Sequence, residues 1–93
     1  ASSSPRVLRT AAMWHLSSGR PDSAAVYAER AIAAMGEPDS DILRLACVSS
    51  IAAGDSARAS IHAEYGNYLY PEEEFFQELP APGPESRLNS SER

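Results

Sequence analysis

Gly19, Ala24 and Ala28 return as Gly54, Ala59 and Ala63, and Gly36 is answered by Pro71, all at a displacement of 35 residues. A displacement held constant over two helix-length stretches means that most of the chain is two copies of one unit. In each copy the small residues follow one helix-like segment and open another, the sequence signature of stacked helical hairpins. Such units act by presenting surface to other chains, so the repeat predicts binding before any individual residue is considered.

Apolar spacing then places the helices. Pro5 can begin and Gly19 can end a helix over 6–18, with Leu8, Ala11, Ala12 and His15 on one face and Val7, Ala11 and Trp14 beside it. The second segment has Asp22 as a candidate N-cap and carries Ala24, Tyr27, Ala28, Ala31, Ile32 and Met35 at i, i+3, i+4, i+7, i+8 and i+11. Ser40 or Asp39 can cap a third helix over 41–53, whose broad apolar surface (Ile42, Leu45, Ala46, Cys47, Val48, Ile51) needs contacts on two sides. A fourth helix over 56–70 is the weakest, because Gly66 in its interior costs about 1 kcal/mol relative to alanine. Pro71 followed by Glu72, Glu73 and Glu74 predicts a short fifth helix with Phe75, Phe76 and Leu79 on its apolar edge. The expected fold is all-α: two antiparallel helical hairpins plus that short helix. It divides into a flexible start at 1–5, a helical domain at 6–79 and a flexible Pro-rich tail at 80–93.

Composition limits the function. Only one small domain fits in 93 residues, and its apolar fraction is largely alanine, which suits close helix packing better than a ligand-sized cavity. The net charge is −5, every basic residue is arginine, and the acids crowd into 37–93, so the electrostatics argue against nucleic acid as a partner. Cys47 has no mate for a disulfide, which fits a reducing compartment, the cytoplasm by default. No run of apolar residues is long enough for a membrane span, and residues 1–6 lack the pattern of a secretory signal.

Chemistry is sparse. His15 and His62 have no second ligand one turn away, and Glu72, Glu73 and Glu74 are consecutive, so they diverge around a helix and cannot converge on one ion. With no phosphate-binding glycine loop and no nucleophile-base pattern, no enzyme activity, metal or cofactor is expected. Cys47 reads as a small buried packing residue, and Trp14 as either core or an interface anchor.

Gly19-Arg20-Pro21-Asp22-Ser23-Ala24 with Ala28 and Ala31, echoed by Gly54-Asp55, Ala59, Ala63 and Pro71, resembles the tetratricopeptide repeat over residues 5–71. The pattern departs from that family at Leu8 and Leu43, where bulky aromatics are usual, and at Gly66, where alanine is. Within it, Ile42-Leu-Arg-Leu-Ala-Cys-Val-Ser-Ser50, Gly54-Asp55, Tyr70-Pro71 and Glu85-Ser-Arg-Leu-Asn89 are similar to the larger chaperone of the type III secretion needle subunit. That resemblance implies a cytoplasmic heteromer with a small helical co-chaperone, clasping the aggregation-prone helix of the needle subunit. This chain is shorter than the usual three-hairpin form, its third unit being reduced to 72–79.

Aligned as repeats, the first helix of each unit sends Arg9, Met13, Leu16 and Ser17, and Arg44, Val48, Ile51 and Ala52, to a concave groove. The expected partner-binding set is Arg9, Met13, Leu16, Arg44, Val48 and Ile51, an apolar floor with one cation per unit that suits an amphipathic helix. Met13 and Val48 stand where carboxylate-clamping repeats need hydrogen-bond donors, which argues against capture of a peptide C-terminus. The competing expectation is that Leu16, Val48 and Ile51 are core, covered by Phe75 and Phe76 as the fifth helix folds back. A scaffolding fragment of a longer repeat array is the alternative function.

Overall fold

Two turns 35 residues apart set the architecture, and both are the same hydrogen-bonded motif. A computed structural model describes residues 4–78. In the first turn the amide of Arg20 donates to the carbonyl of His15 (2.8 Å) and that of Gly19 to Leu16 (3.2 Å); in the second, Asp55 donates to Ser50 (2.9 Å) and Gly54 to Ile51 (3.0 Å). Paired bonds of this kind close a helix when the residue beyond its cap is left-handed. Gly19 and Gly54 have φ of 78° and 81°, a region where a Cβ is strained, which explains why glycine recurs there.

Between and around these turns run α1 (Pro5–Ser17), α2 (Pro21–Ala34), α3 (Ser40–Ala52), α4 (Ser56–Leu69) and α5 (Glu74–Glu78), with no strand among the described residues. The side chain of Ser4 caps α1, accepting from Val7 (3.2 Å). Asp39 caps α3, accepting from Ile42 (2.9 Å), and Asp55 caps α4, accepting from Arg58 (3.1 Å). Asp22 does not cap α2: the helix starts one residue earlier, at Pro21, leaving Asp22 inside the first turn where its charge still favours the dipole. Pro71 likewise falls in a turn rather than at the first position of α5, which begins at Glu74. The expected flexible tail at 80–93 and most of the start at 1–5 lie outside the described residues.

Each helix packs on the next in the chain, and α1 also touches α3. The core is centred on α3, which buries Ile42, Leu43, Ala46, Cys47, Ser49 and Ser50 between α2 and α4. Facing it are small side chains, Ala12, Ala28, Ala31 and Ala63. Each alanine methyl contributes only about 0.8 kcal/mol by burial, against roughly 1.5–3 for Ile42 or Leu43, so the alanines serve mainly to let helix axes approach. Tyr70 at the end of α4 reaches back across the molecule, its hydroxyl donating to the carbonyl of buried Pro38 (2.8 Å).

Gly66 is not simply a weak point in α4. It is buried, and a Cβ built on it would lie 2.5–2.6 Å from the ring of Phe76. The missing side chain is the seat on which α5 docks, with Asn67 Nδ2 donating to the Phe76 carbonyl (3.4 Å) as a second tie.

Candidate functional site

Helices α1 and α3 each carry large apolar side chains that nothing among the described residues covers. Met13 is 54% exposed, Val48 40% and Ile51 43%, while Leu16 is half-buried at the end of α1. These are four of the six expected groove residues. An open depression of about 480 Å³ lies between the helices, lined by Arg9, Thr10 and Met13 from α1 and by Asp41 and Leu45 from α3.

Two strips of α3 therefore meet at Val48. Asp41, Leu45 and Val48 follow the i, i+4, i+7 spacing and form the strip toward α1, whereas Arg44, Val48 and Ile51 form the strip turned toward α5. Arg44 is exposed, and its guanidinium lies 5.0 Å from the centre of the Phe75 ring. Arg9 and Arg44 thus have different surroundings, Arg9 beside Asp39 at the depression and Arg44 against Phe75.

Charge at the α1 edge is mixed. Arg9 Nη1 is 3.8 Å from Asp39 Oδ2, and Asp41 stands across the depression. Phe75 and Phe76 do not cover the groove: Phe76 seats on Gly66 and Phe75 lies under Arg44, leaving Val48 and Ile51 exposed. The sequence places Leu45 on the broad apolar surface of the third helix but does not single it or Asp41 out for the groove, although their four-residue spacing and the three residues from Leu45 to Val48 were the available signal.

A polar bridge between α2 and α4 joins the two units, although the same helices also expose Val26, Ile61 and Tyr68. Glu29 of α2 receives Arg58 and His62 of α4, with His62 Nε2 3.1 Å from Glu29 Oε2 and Arg58 also reaching the Asp55 carboxylate (3.6 Å). The hydrogen bond to Glu29 and its charge hold the Arg58 guanidinium above its ordinary pKa, so it stays a cation throughout. His62 is consequently part of a helix-to-helix bridge. His15 accepts from Arg20 Nε at Nδ1 (3.1 Å) and stacks parallel to Tyr27 with centroids 5.0 Å apart. No cluster of three or more His, Cys, Asp or Glu side chains able to hold a metal occurs among the described residues.

Cys47 is fully buried, its thiol directed at the Ala59 carbonyl (3.6 Å), and burial pushes its pKa from 9.0 up to about 11. A thiol so protonated is a packing group, not a nucleophile. Trp14, by contrast, is 60% exposed and is not core. No helix among the described residues is long and apolar enough to cross a membrane. No protein-family model matches the chain, and neither a curated protein nor a solved structure matches it.

Proposed function

We propose that this chain is a protein-binding chaperone or co-chaperone whose α1–α3 face shields an amphipathic helix of a partner. The observation that carries the reading is the exposure of Met13 beside the α1–α3 depression together with that of Val48 and Ile51 along α3, in a domain whose core is packed largely with alanine. Three large apolar side chains held in water on a rigid helical scaffold gain most from a partner's apolar stripe, and methionine adapts to varied shapes. Leu16 extends that floor, and Arg9 and Arg44 supply one cation from each helix. Nothing about the face calls for a cofactor or metal.

The partner that best fits the sequence resemblance is the needle subunit of a type III secretion system, held in the cytoplasm together with a small helical co-chaperone. Burial of the subunit's apolar stripe on Met13, Leu16, Val48 and Ile51 would then compete with its self-assembly. Affinity capture of the tagged protein from its own cells, with sizing of what elutes at a defined ratio, tests this. Recovery of a needle-type subunit and a small helical chain supports it, and Val48→Glu abolishes that recovery while circular dichroism remains unchanged. Retained binding by Val48→Glu sinks the groove assignment.

The alternative is a scaffolding or adaptor fragment of a longer tetratricopeptide array. It draws support from α5, which begins within a residue of where a third unit would start at the 35-residue displacement. A fragment of that kind self-associates or is molten when isolated, whereas a chaperone elutes as one discrete heteromer.

A further inference from the structure

The repeat supplies its own precedent for what should cover α1. Val7, Ala11 and Trp14 correspond through the 35-residue displacement to Ile42, Ala46 and Ser49. In α3 all three equivalents are fully buried, yet Val7 is 57% exposed, Trp14 60%, and Ala11 only partly covered. The physical cause can be traced. Cys47 directs its sulfur at Ala59, so the strip containing Leu43 and Cys47 faces α4. The strip of Ile42, Ala46 and Ser49 lies next to it around the helix, and α3 also packs against the preceding helix, α2, whose buried residues are all alanine: Ala24, Ala25, Ala28 and Ala31. In the described residues α1 has no preceding helix, and its equivalent strip is left as an apolar furrow edged by Arg6 and Thr10.

Charge narrows what can fill the vacant position. Residues 1–21 contain Arg6, Arg9 and Arg20 and no carboxylate side chain. Arg20 lies over the Trp14 ring, 4.7 Å from its centre, so the indole is held in place with a cation beside it. Face-to-face pairing of two copies of α1 would set arginine against arginine, which disfavours a symmetric dimer through this strip.

We propose that the Val7–Ala11–Trp14 strip of α1 is a second docking surface, adjoining the α1–α3 groove along Thr10, for a helix of another polypeptide that presents an Ala/Gly stripe flanked by carboxylates. The small stripe reproduces what α2 offers to α3. Because Trp14 stands where α3 has Ser49, the incoming helix needs glycine or alanine opposite the indole. Its carboxylates meet Arg6 and Arg20.

Trp14 is the only tryptophan of the chain, so its emission reports on this strip alone. The probe is a synthetic helical peptide with alanine at i, i+3, i+4 and i+7 and glutamate on both flanks, titrated into the intact protein beside a lysine-flanked counterpart. The expected result is a saturable blue shift of Trp14 emission with the glutamate peptide alone, weakening as salt rises. Arg6→Glu, an exposed position outside the core, should weaken it about tenfold with helicity unchanged. Val48→Glu leaves this shift intact, which separates the proposal from the groove reading. No shift with the glutamate peptide, an equal shift with the lysine peptide, or a shift that grows with protein concentration alone each overturns it, the last by identifying the occupant as a second copy.

Discussion

Cys47, Ser49 and Ser50 are close in sequence in α3 and, on different sides of the helix, are all fully buried small residues. The Cys47 thiol, pushed up to about 11 by burial, is favoured in its neutral form by the fold. Its contribution to stability is complete below the ordinary thiol pKa of 9.0 and is lost as pH rises through about 11. Chemical denaturation at a series of pH values should therefore show stability falling between pH 9 and 11, with a smaller fall over that range in Cys47→Ala. Tyr70 adds to the alkaline loss in both proteins, since burial and then the charges of Glu37, Asp39 and Glu72 raise its phenol from 10.0. A thiol reagent at neutral pH should label Cys47 only on unfolding, and stoichiometric labelling of the folded protein at the rate of a free thiol would contradict its burial. The hydroxyls of Ser49 and Ser50 have no hydrogen-bond partner among the described residues, and stranding a buried hydroxyl costs about 1–3 kcal/mol. Ser49→Ala keeps the small volume, removes the stranded group and improves helix propensity, so it should stabilise the fold by about 1 kcal/mol in urea titration. Destabilisation would mean that the hydroxyl is bonded after all.

At the scale of an element, α4 and α5 show a local rule overruled by packing. Gly66 lowers the intrinsic stability of α4 by about 1 kcal/mol, so propensity alone predicts that Gly66→Ala stabilises. The added Cβ would lie 2.5–2.6 Å from the nearly buried Phe76 ring, so α5 must shift or detach. Gly66→Ala should therefore raise amide exchange across 74–77, and Phe76→Leu in the same chain should recover part of the protection. Unchanged exchange in Gly66→Ala would mean that α5 is not seated there. The hairpin turns obey the opposite logic, because nothing lies within 4 Å of a Cβ at Gly54 and only its φ of 81° forbids one. Gly54→Ala is expected to cost about 1–2 kcal/mol without displacing any neighbour.

Across the whole molecule, packing runs mainly from each helix to the next, with fewer links such as α1 to α3 and the α2–α4 bridge, so stability is nearly a sum over neighbours. Leu8 is the large buried side chain of α1, and Leu8→Ala should cost about 2–5 kcal/mol, a large share of what a domain this size possesses. Native-state hydrogen exchange should show the loss concentrated in α1 and α2, with α4 less affected. Uniform loss would indicate that the Glu29 bridge to Arg58 and His62, together with the Tyr70 bond to Pro38, couples the ends more tightly than nearest-neighbour packing does.

The sequence by itself determined the helices and their hairpin turns. Apolar spacing and recurrent glycine are local properties, and a left-handed cap or a 3.6-residue period is written into adjacent residues. It also determined that α3 needs neighbours on both sides, because its apolar residues span too much of the helix circumference for one. How side chains from distant segments meet is a product of packing, not of local sequence. Asp41 and Leu45 joined the groove edge because α1 and α3 lie beside each other, and Arg44 went to Phe75 because α5 turns back along α4. Glu29 found Arg58 and His62 at separations that no repeat period encodes. Gly66 changed from a defect to a seat once Phe76 arrived from beyond the turn, since the value of an absent side chain depends on what occupies the space.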